Sequence, residues 1–452
     1  MWESFIEAVT KVNDWVNGVV WGWPMIIMIL GTGILLTVRT RVLQVRKFGE
    51  SMSTTIVPAV KDMGKKKNKK DKNAVSQFEA FSAAISGTVG TGNIIGVTSA
   101  ILTGGPGAVL WMWISAFFGM VTNYSENVLG LYYRKKEKDG SFSGGAFYYI
   151  AYGIKQRWLG MLAAIFCLLA AVGMSGVQTN KITGSYTSVL GNDSAAVKLI
   201  IGGIVAFFAA VVIIGGIKRI GRIASMLVPF MSLLFIAMAF VIIGKNYTAI
   251  PETFRLIFTS AFSSKAVAGG VGGFAFSQII KKGLARGVFS NEAGLGSSVI
   301  AHSASETREP VKQGLWGIFE VFFDTFVICT LTALVILTTN IGTGAYENGS
   351  FFGAENAAGE FVGASDSATA LSAFSSNLGM FGTVAFLIIL PLFAFTTVLA
   401  WSYYGEKAVD FCFRHKPENK RKIPVLIFKI IFILLIVFSS LIGSDLIWAL
   451  DD

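Results

Sequence analysis

The chain has 452 residues, 53% of them hydrophobic and only 14% charged, with a mean hydropathy of +0.62. A soluble domain carries about 25% charged residues, so a soluble globular protein is excluded and a polytopic all-α membrane protein is expected. The net charge of +11 would suit nucleic acid, but its placement along the chain points to a lipid surface instead.

Residues 1–18 place Glu3, Glu7 and Asp14 where a cleavable signal peptide needs a basic region. Phe5, Ile6, Val9, Val12 and Val16 recur near helical spacing, which predicts a short amphipathic helix lying at the interface. Apolar runs of about 20 residues are long enough to cross a bilayer. They predict spans at 19–38, 76–103, 106–133, 158–188, 195–216, 223–244, 266–281, 314–338, 380–409 and 424–443. Segments 39–73, 134–157, 217–222, 281–312 and 410–423 hold 30 of the 38 Lys and Arg residues. By the positive-inside rule these five segments are cytoplasmic and the N-terminus lies outside. The Lys65 to Lys72 run then needs no nucleic-acid partner; a lipid-facing loop accounts for it. Residues 19–75 form a peripheral span with its basic loop, and 76–452 a core of two repeats, about 76–244 and 250–452. Segment 340–378, rich in Gly, Ala and Ser and without a base, reads as an external loop with short helices over an entry path.

The span from Ser82 to Gly104 carries Gly87, Gly90 and Gly92 among Thr88, Thr91 and Asn93. Each glycine inside a helix costs roughly 1 kcal/mol, so the helix should unwind there. Unwound backbone survives at membrane depth only where protein or a water-filled cavity satisfies it. Freed carbonyls suit a dehydrated cation, and freed amides with the small polar side chains suit a zwitterionic solute. Close packing of helices is the other account of the same glycines. Segment 266–281 repeats the pattern with Gly269, Gly270, Gly272 and Gly273. It should run in the opposite direction, which points to an inverted repeat with a site between the two breaks.

Thr396 and Thr397 lie inside an apolar run, either back-bonded to their own helix or as a half-site for Na⁺. Gln178 and Asn180 are amides in a span and either join helices or touch ligand. Ser277 and Gln278 follow the second glycine cluster, with Phe274 and Phe276 as candidate pocket walls or plain core. Glu126, beside Asn123 and Tyr124, and the pair Glu320 and Asp324 are ionisable residues within spans, open to a proton relay or to interhelical bonding. Glu79 stands near a cytoplasmic end. Gly287 to Ser298, GVFSNEAGLGSS, is too polar to span and is expected to be an ordered cytoplasmic gate loop around Glu292. Cys167, Cys329 and Cys412 form no disulfide or metal pattern. No hydrolase, P-loop or metalloprotease motif occurs, so an enzyme is not expected.

Gly104 to Gly119, GGPGAVLWMWISAFFG, resembles the signature of the sodium:alanine symporter family, with Leu110 where the family usually has Phe. SGTVGTGNIIG and FSNEAGLGS resemble family sequence as well, and the likeness runs from about residue 20 onward. It implies a leucine-transporter-type fold of two inverted five-helix repeats with two broken helices, preceded by one extra N-terminal span. It also implies a tenth core helix, where the sequence ends at DLIWALDD. The implied function is Na⁺-coupled symport of alanine, with glycine, by alternating access at the cell membrane. Na⁺ is the coupling ion and no organic cofactor is needed. Proton-coupled symport and a channel are the alternatives. On this template Thr88, Gly90, Thr91, Gly92, Asn93, Gln178, Gly273, Phe274, Phe276 and Ser277 hold the substrate. Gly87, Thr396 and Thr397 hold Na⁺.

Overall fold

The computed structural model describes residues 21–62, 75–262, 270–344, 354–355, 361–362 and 366–442. The helix expected over 1–18 and the Lys65 to Lys72 run lie outside these residues, as do the side chains of Phe274 and Phe276.

The first span is α1 (Trp23–Arg39), with Pro24 in its first turn. Short α2 (Leu43–Arg46) and α3 (Phe48–Asp62) follow it. The core opens with α4 (Gln77–Thr88). The Ser76 hydroxyl accepts from Glu79 N at 3.2 Å and Ser76 N donates to the Glu79 carboxylate at 3.0 Å. Glu79 is thus half of a capping box, which is how a carboxylate can sit at the end of this span. After the break comes α5 (Ile95–Gly104), at 56° to α4. Next are α6 (Ala108–Tyr133), a small antiparallel ladder of β1 (Lys135–Lys136) and β2 (Phe142–Ser143), and α7 (Ala146–Gly153). Long helices α8 (Arg157–Leu190), α9 (Ala195–Ile213) and α10 (Gly216–Lys245) complete the first half.

The second half has α11 (Ile250–Ala261), α12 (Gly270–Asn291), short α13 (Ser298–His302) and α14 (Pro310–Val321). A π-helical stretch, Phe322–Cys329, leads into α15 (Thr330–Gly342). Strands β3 (Ala354–Glu355) and β4 (Phe361–Val362) pair antiparallel. They precede α16 (Asp366–Cys412), which is interrupted at Gly379 by its positive φ of 59°. The last described helix is α17 (Glu418–Ser439).

Among the described residues, six helices are long and apolar enough to cross a membrane, seven with α4 and α5 as one bent span. The bundle also contains α6 and α12, whose hydropathy is lowered by Asn123, Glu126 and Asn127 on one and Lys281, Lys282 and Arg286 on the other. Phe207, Phe230 and Ile431 stand exposed on α9, α10 and α17, an outer face suited to hydrocarbon. Inside, α8 lies along α16, and α6 packs on α12 and α14.

Three expectations are corrected. The helix is continuous from Gly270 to Asn291, so the second break does not fall at Gly270 to Gly273. It falls at residues 292–297, where Glu292, Gly294 and Gly296 have φ of 55°, 96° and 71°. GVFSNEAGLGSS is therefore the last turns of α12 and this break, and Ser290, Asn291 and Glu292 are buried. Segment 281–312 is not one loop: Lys282 adjoins Gly104 and Gly283 adjoins Ala108. Residues 303–307, in contrast, join Arg134 and Val75 at the opposite end.

Candidate functional site

The site is built on the first break. Helix α4 stops at Val89, Gly90 is extended, and Thr91–Asn93 makes one 3₁₀ turn before α5. Neighbours satisfy the freed backbone. Gly90 N donates to Asn93 Oδ1 at 2.9 Å, and Thr91 N donates to Gln178 Oε1 of α8 at 3.1 Å. The buried Thr91 hydroxyl has no partner, and buried polar atoms normally have one. Gly90 must be glycine: a Cβ there would sit 2.5 Å from Thr397 Oγ1 and 3.3 Å from Gln178 Oε1.

The vicinal threonines of α16 meet this break from the other side. Thr397 Oγ1 stands 3.0 Å from Ser86 O and 3.1 Å from Phe393 O, and its single proton serves only one of the two. Thr396 Oγ1 lies 3.0 Å from Leu392 O and from Phe393 O, back-bonded to its own helix. Four oxygens from two helices thus cluster with no carboxylate, a donor set for a hard monovalent cation. The carbonyl that meets Thr397 is that of Ser86. Gly87 packs closely on α16, since a Cβ on it would lie 2.8 Å from the Tyr404 hydroxyl. Thr88 Oγ1 bonds Ile85 O at 3.2 Å within α4. Gly92 faces the Phe289 ring of α12, which lies 3.7 Å from its Cβ position.

One residue ties both breaks together. Asp324, buried in the π-helical stretch, accepts from Asn93 Nδ2 at 2.5 Å. It also accepts from Ser290 Oγ of α12 at 2.8 Å and from Thr325 Oγ1 at 2.9 Å. Asn291 Nδ2 donates to Thr325 Oγ1 at 3.1 Å. Inside the second break Glu292 accepts from Ser297 Oγ and, at 3.2 Å, from Trp401 Nε1. Glu126 accepts from Gly294 N at 3.2 Å. π-Helical bulges recur at functional sites, and here the bulge aims one carboxylate at the first break and at the last turn of α12 before the second.

The structure brings Gly90, Thr91, Gly92, Asn93, Gln178 and Thr397 together with Ser86, Ser290 and Asp324. It does not bring Gly273 or Ser277 to them. Ser277 lies on the same continuous helix as Ser290, roughly 20 Å away along its axis, so neither it nor the residues before it border the first break by way of Ser290. Asn180 bonds Ile442 O at 2.6 Å and joins helices. Among the described residues no group of three His, Cys, Asp or Glu side chains is set to hold a metal. Sequence reasoning missed Ser290 and Trp401, although the alternation of small and polar residues in FSNEAGLG was a signal for the second break.

A family model described as the sodium:alanine symporter family matches residues 6–452. The chain belongs to the sodium:alanine symporter family. Among relatives of this family member is the sodium/alanine symporter AgcS of Methanococcus maripaludis, 37% identical over 99% of this chain and 91% of that one. The probable sodium/glutamine symporter GlnT of Bacillus subtilis is 34% identical over 96% of this chain and 83% of its own. The fold matches MhsT in complex with L-phenylalanine at a TM-score of 0.59 and 16% identity, over 82% of this chain and 80% of that one. It also matches a Na⁺-coupled sialic acid symporter at 0.53 and 13%, over 87% and 80%. The symporter is a multi-pass membrane protein with the leucine-transporter-type fold.

Proposed function

We propose that the protein couples inward movement of Na⁺ to uptake of a small neutral amino acid, alanine and with it glycine. The observation that carries this is the Thr397 hydroxyl bridging α16 to the Ser86 carbonyl, directly under Gly90. Na⁺ there, held by Ser86 O, Phe393 O and the Thr396 and Thr397 hydroxyls, braces the broken helix. The bracing keeps the Thr91 hydroxyl and the start of α5 in place for a zwitterion. The amides opening α5 and its positive dipole end suit the substrate carboxylate. Gln178 and Asp324 position the break, Gln178 through Thr91 N and Asp324 through Asn93. A ligand that binds one conformation better shifts the population toward it, and the coupling is reciprocal: substrate raises Na⁺ affinity by the same factor. The Arg134 end of the bundle, with Lys135, Lys136, Lys138 and Arg308, faces the cytoplasm.

The test is binding of labelled alanine to purified protein in Na⁺ and in K⁺, with glycine and glutamine as competitors. Alanine binding in Na⁺ alone, displaced by glycine, is expected. Equal binding in both salts removes Na⁺ coupling, and displacement by glutamine but not glycine moves the substrate to a longer side chain.

A further inference from the structure

Away from the broken helices, three buried side chains at the Arg134 end form a cluster the transport site does not use. His302, at the end of α13, has Nε2 2.8 Å from Glu320 Oε2 and Nδ1 2.7 Å from the Gln313 amide nitrogen. All three are fully buried, and Glu320 Oε1 and Gln313 Oε1 have no partner. The arrangement fits an imidazole with one proton, on Nε2, donating to Glu320 and accepting from Gln313. That state leaves a buried carboxylate facing a neutral ring. Turning the Gln313 amide over presents Oε1 to Nδ1, which then needs a proton of its own. Both ring nitrogens donate in that second state, Glu320 faces a cation, and the orphaned Gln313 oxygen is satisfied.

We propose that His302, Glu320 and Gln313 form a proton-binding site that fastens α13 to α14 when occupied. The proton comes from solvent at the Arg134 end and belongs to the His–Glu pair as a unit. Glu126 of α6, Glu292 ahead of α13 and Asp324 after α14 are within electrostatic reach of Glu320. From α16 the Tyr404 hydroxyl lies within electrostatic reach of Glu292 and Glu320. From α4 the nearest acid, Glu79, is held in its capping box. At this end of α6, Arg134 meets the α13–α14 turn and is engaged with the carbonyls of Ser303, Ser305 and Thr307.

The site sits where a proton matters for gating. Ser305 N bonds His302 O at 3.1 Å, and Glu306 N bonds Val75 O at 2.8 Å, just ahead of α4. The turn after His302 therefore joins the start of the first broken helix to the short half of the second. An imidazolium bonded to both Glu320 and Gln313 tightens this closure; a neutral ring leaves Glu320 less well paired and the closure looser.

The chain has two histidines, so an H415Q variant leaves His302 as the sole imidazole. In ¹⁵N-histidine-labelled H415Q protein, NMR should show the one remaining imidazole taking up a proton as pH is lowered. In H415Q/E320Q its proton affinity should fall about tenfold, because an amide no longer favours the imidazolium. A signal that does not move with pH, or one that E320Q leaves unchanged, overturns the site. This measurement is independent of substrate. The gating role rests on the proposed symport: Na⁺-driven alanine uptake by vesicles of the H415Q protein should fall as internal pH drops from 8 to 6. The H302Q/H415Q variant should be flat over that range, and the same slope in both variants overturns the role in closure.

Discussion

Gly90 and Thr397 are the residues on which the proposed Na⁺ site turns, and they make opposite predictions about what a single atom does. Gly90→Ala adds a methyl 2.5 Å from Thr397 Oγ1, closer than any contact can stand, and the group pushed away is the proposed Na⁺ ligand. Alanine binding in Na⁺ should drop more than about tenfold while the protein stays monodisperse in detergent; retained binding means the break is not the site. Thr397→Ala removes one oxygen and leaves the helix intact. Its half-saturating Na⁺ concentration should rise roughly tenfold, the equivalent of about 1.4 kcal/mol. Competition between alanine and glycine should be unchanged, and Thr397→Ser should behave as wild type. A Na⁺ dependence identical in wild type and Thr397→Ala excludes the hydroxyl as a ligand. The back-bonding weighed for these threonines is real at Thr396, and what separates Thr397 is its reach across to Ser86.

At the scale of elements, the first break was legible because three glycines and three polar residues interrupt a run otherwise apolar enough to cross a bilayer. The second was misplaced for a physical reason. Gly270, Gly272 and Gly273 lie in continuous helix, where tertiary context overrides propensity. The real break uses Glu292 in the left-handed region beside Gly294 and Gly296, and a charged residue at membrane depth reads in sequence as a loop. Its carboxylate is accommodated by Ser297 and Trp401, contacts between residues too far apart in the chain to be read from spacing. Glu79 stands at the start of its span as part of a capping box, which serine and glutamate three apart at a helix start signal. Ser76→Ala should free the first turn of α4 by about 1 kcal/mol. Hydrogen exchange of the amides of residues 77–80 should then speed up about fivefold. Exchange unchanged there would mean that Val75 and its bridge to Ser305 hold the helix start without the cap.

Across the whole molecule, the sorting of Lys and Arg into alternate segments puts Arg134 to Lys138 and Arg414 to Lys422 at one end, and Glu137 joins the two there. It fails at Lys281 and Lys282, because α12 extends ten residues beyond the end expected of its span. At the basic end the charges are joined into one network. Glu137, between β1 and β2, accepts from Arg414, in the turn after α16, at 2.7 Å and from Arg421 of α17 at 3.1 Å. Arg421 also holds both oxygens of Asp410 at 2.7 Å, and Arg414 meets the Tyr148 hydroxyl of α7 at 2.7 Å. Burial pushes the Glu137 carboxyl up, but hydrogen bonds and charge from the two arginines outweigh it and hold it below the ordinary 4.5. A carboxylate depressed on folding contributes stability that is complete above its unfolded value and is lost as pH falls through the folded one. The gap in melting temperature between wild type and Glu137→Gln should therefore be widest near pH 7 and close as pH drops below about 4.5. A gap that stays constant from pH 7 to pH 4 would show that the hairpin is held to α16 and α17 by packing, with the arginines paired to Asp410 alone.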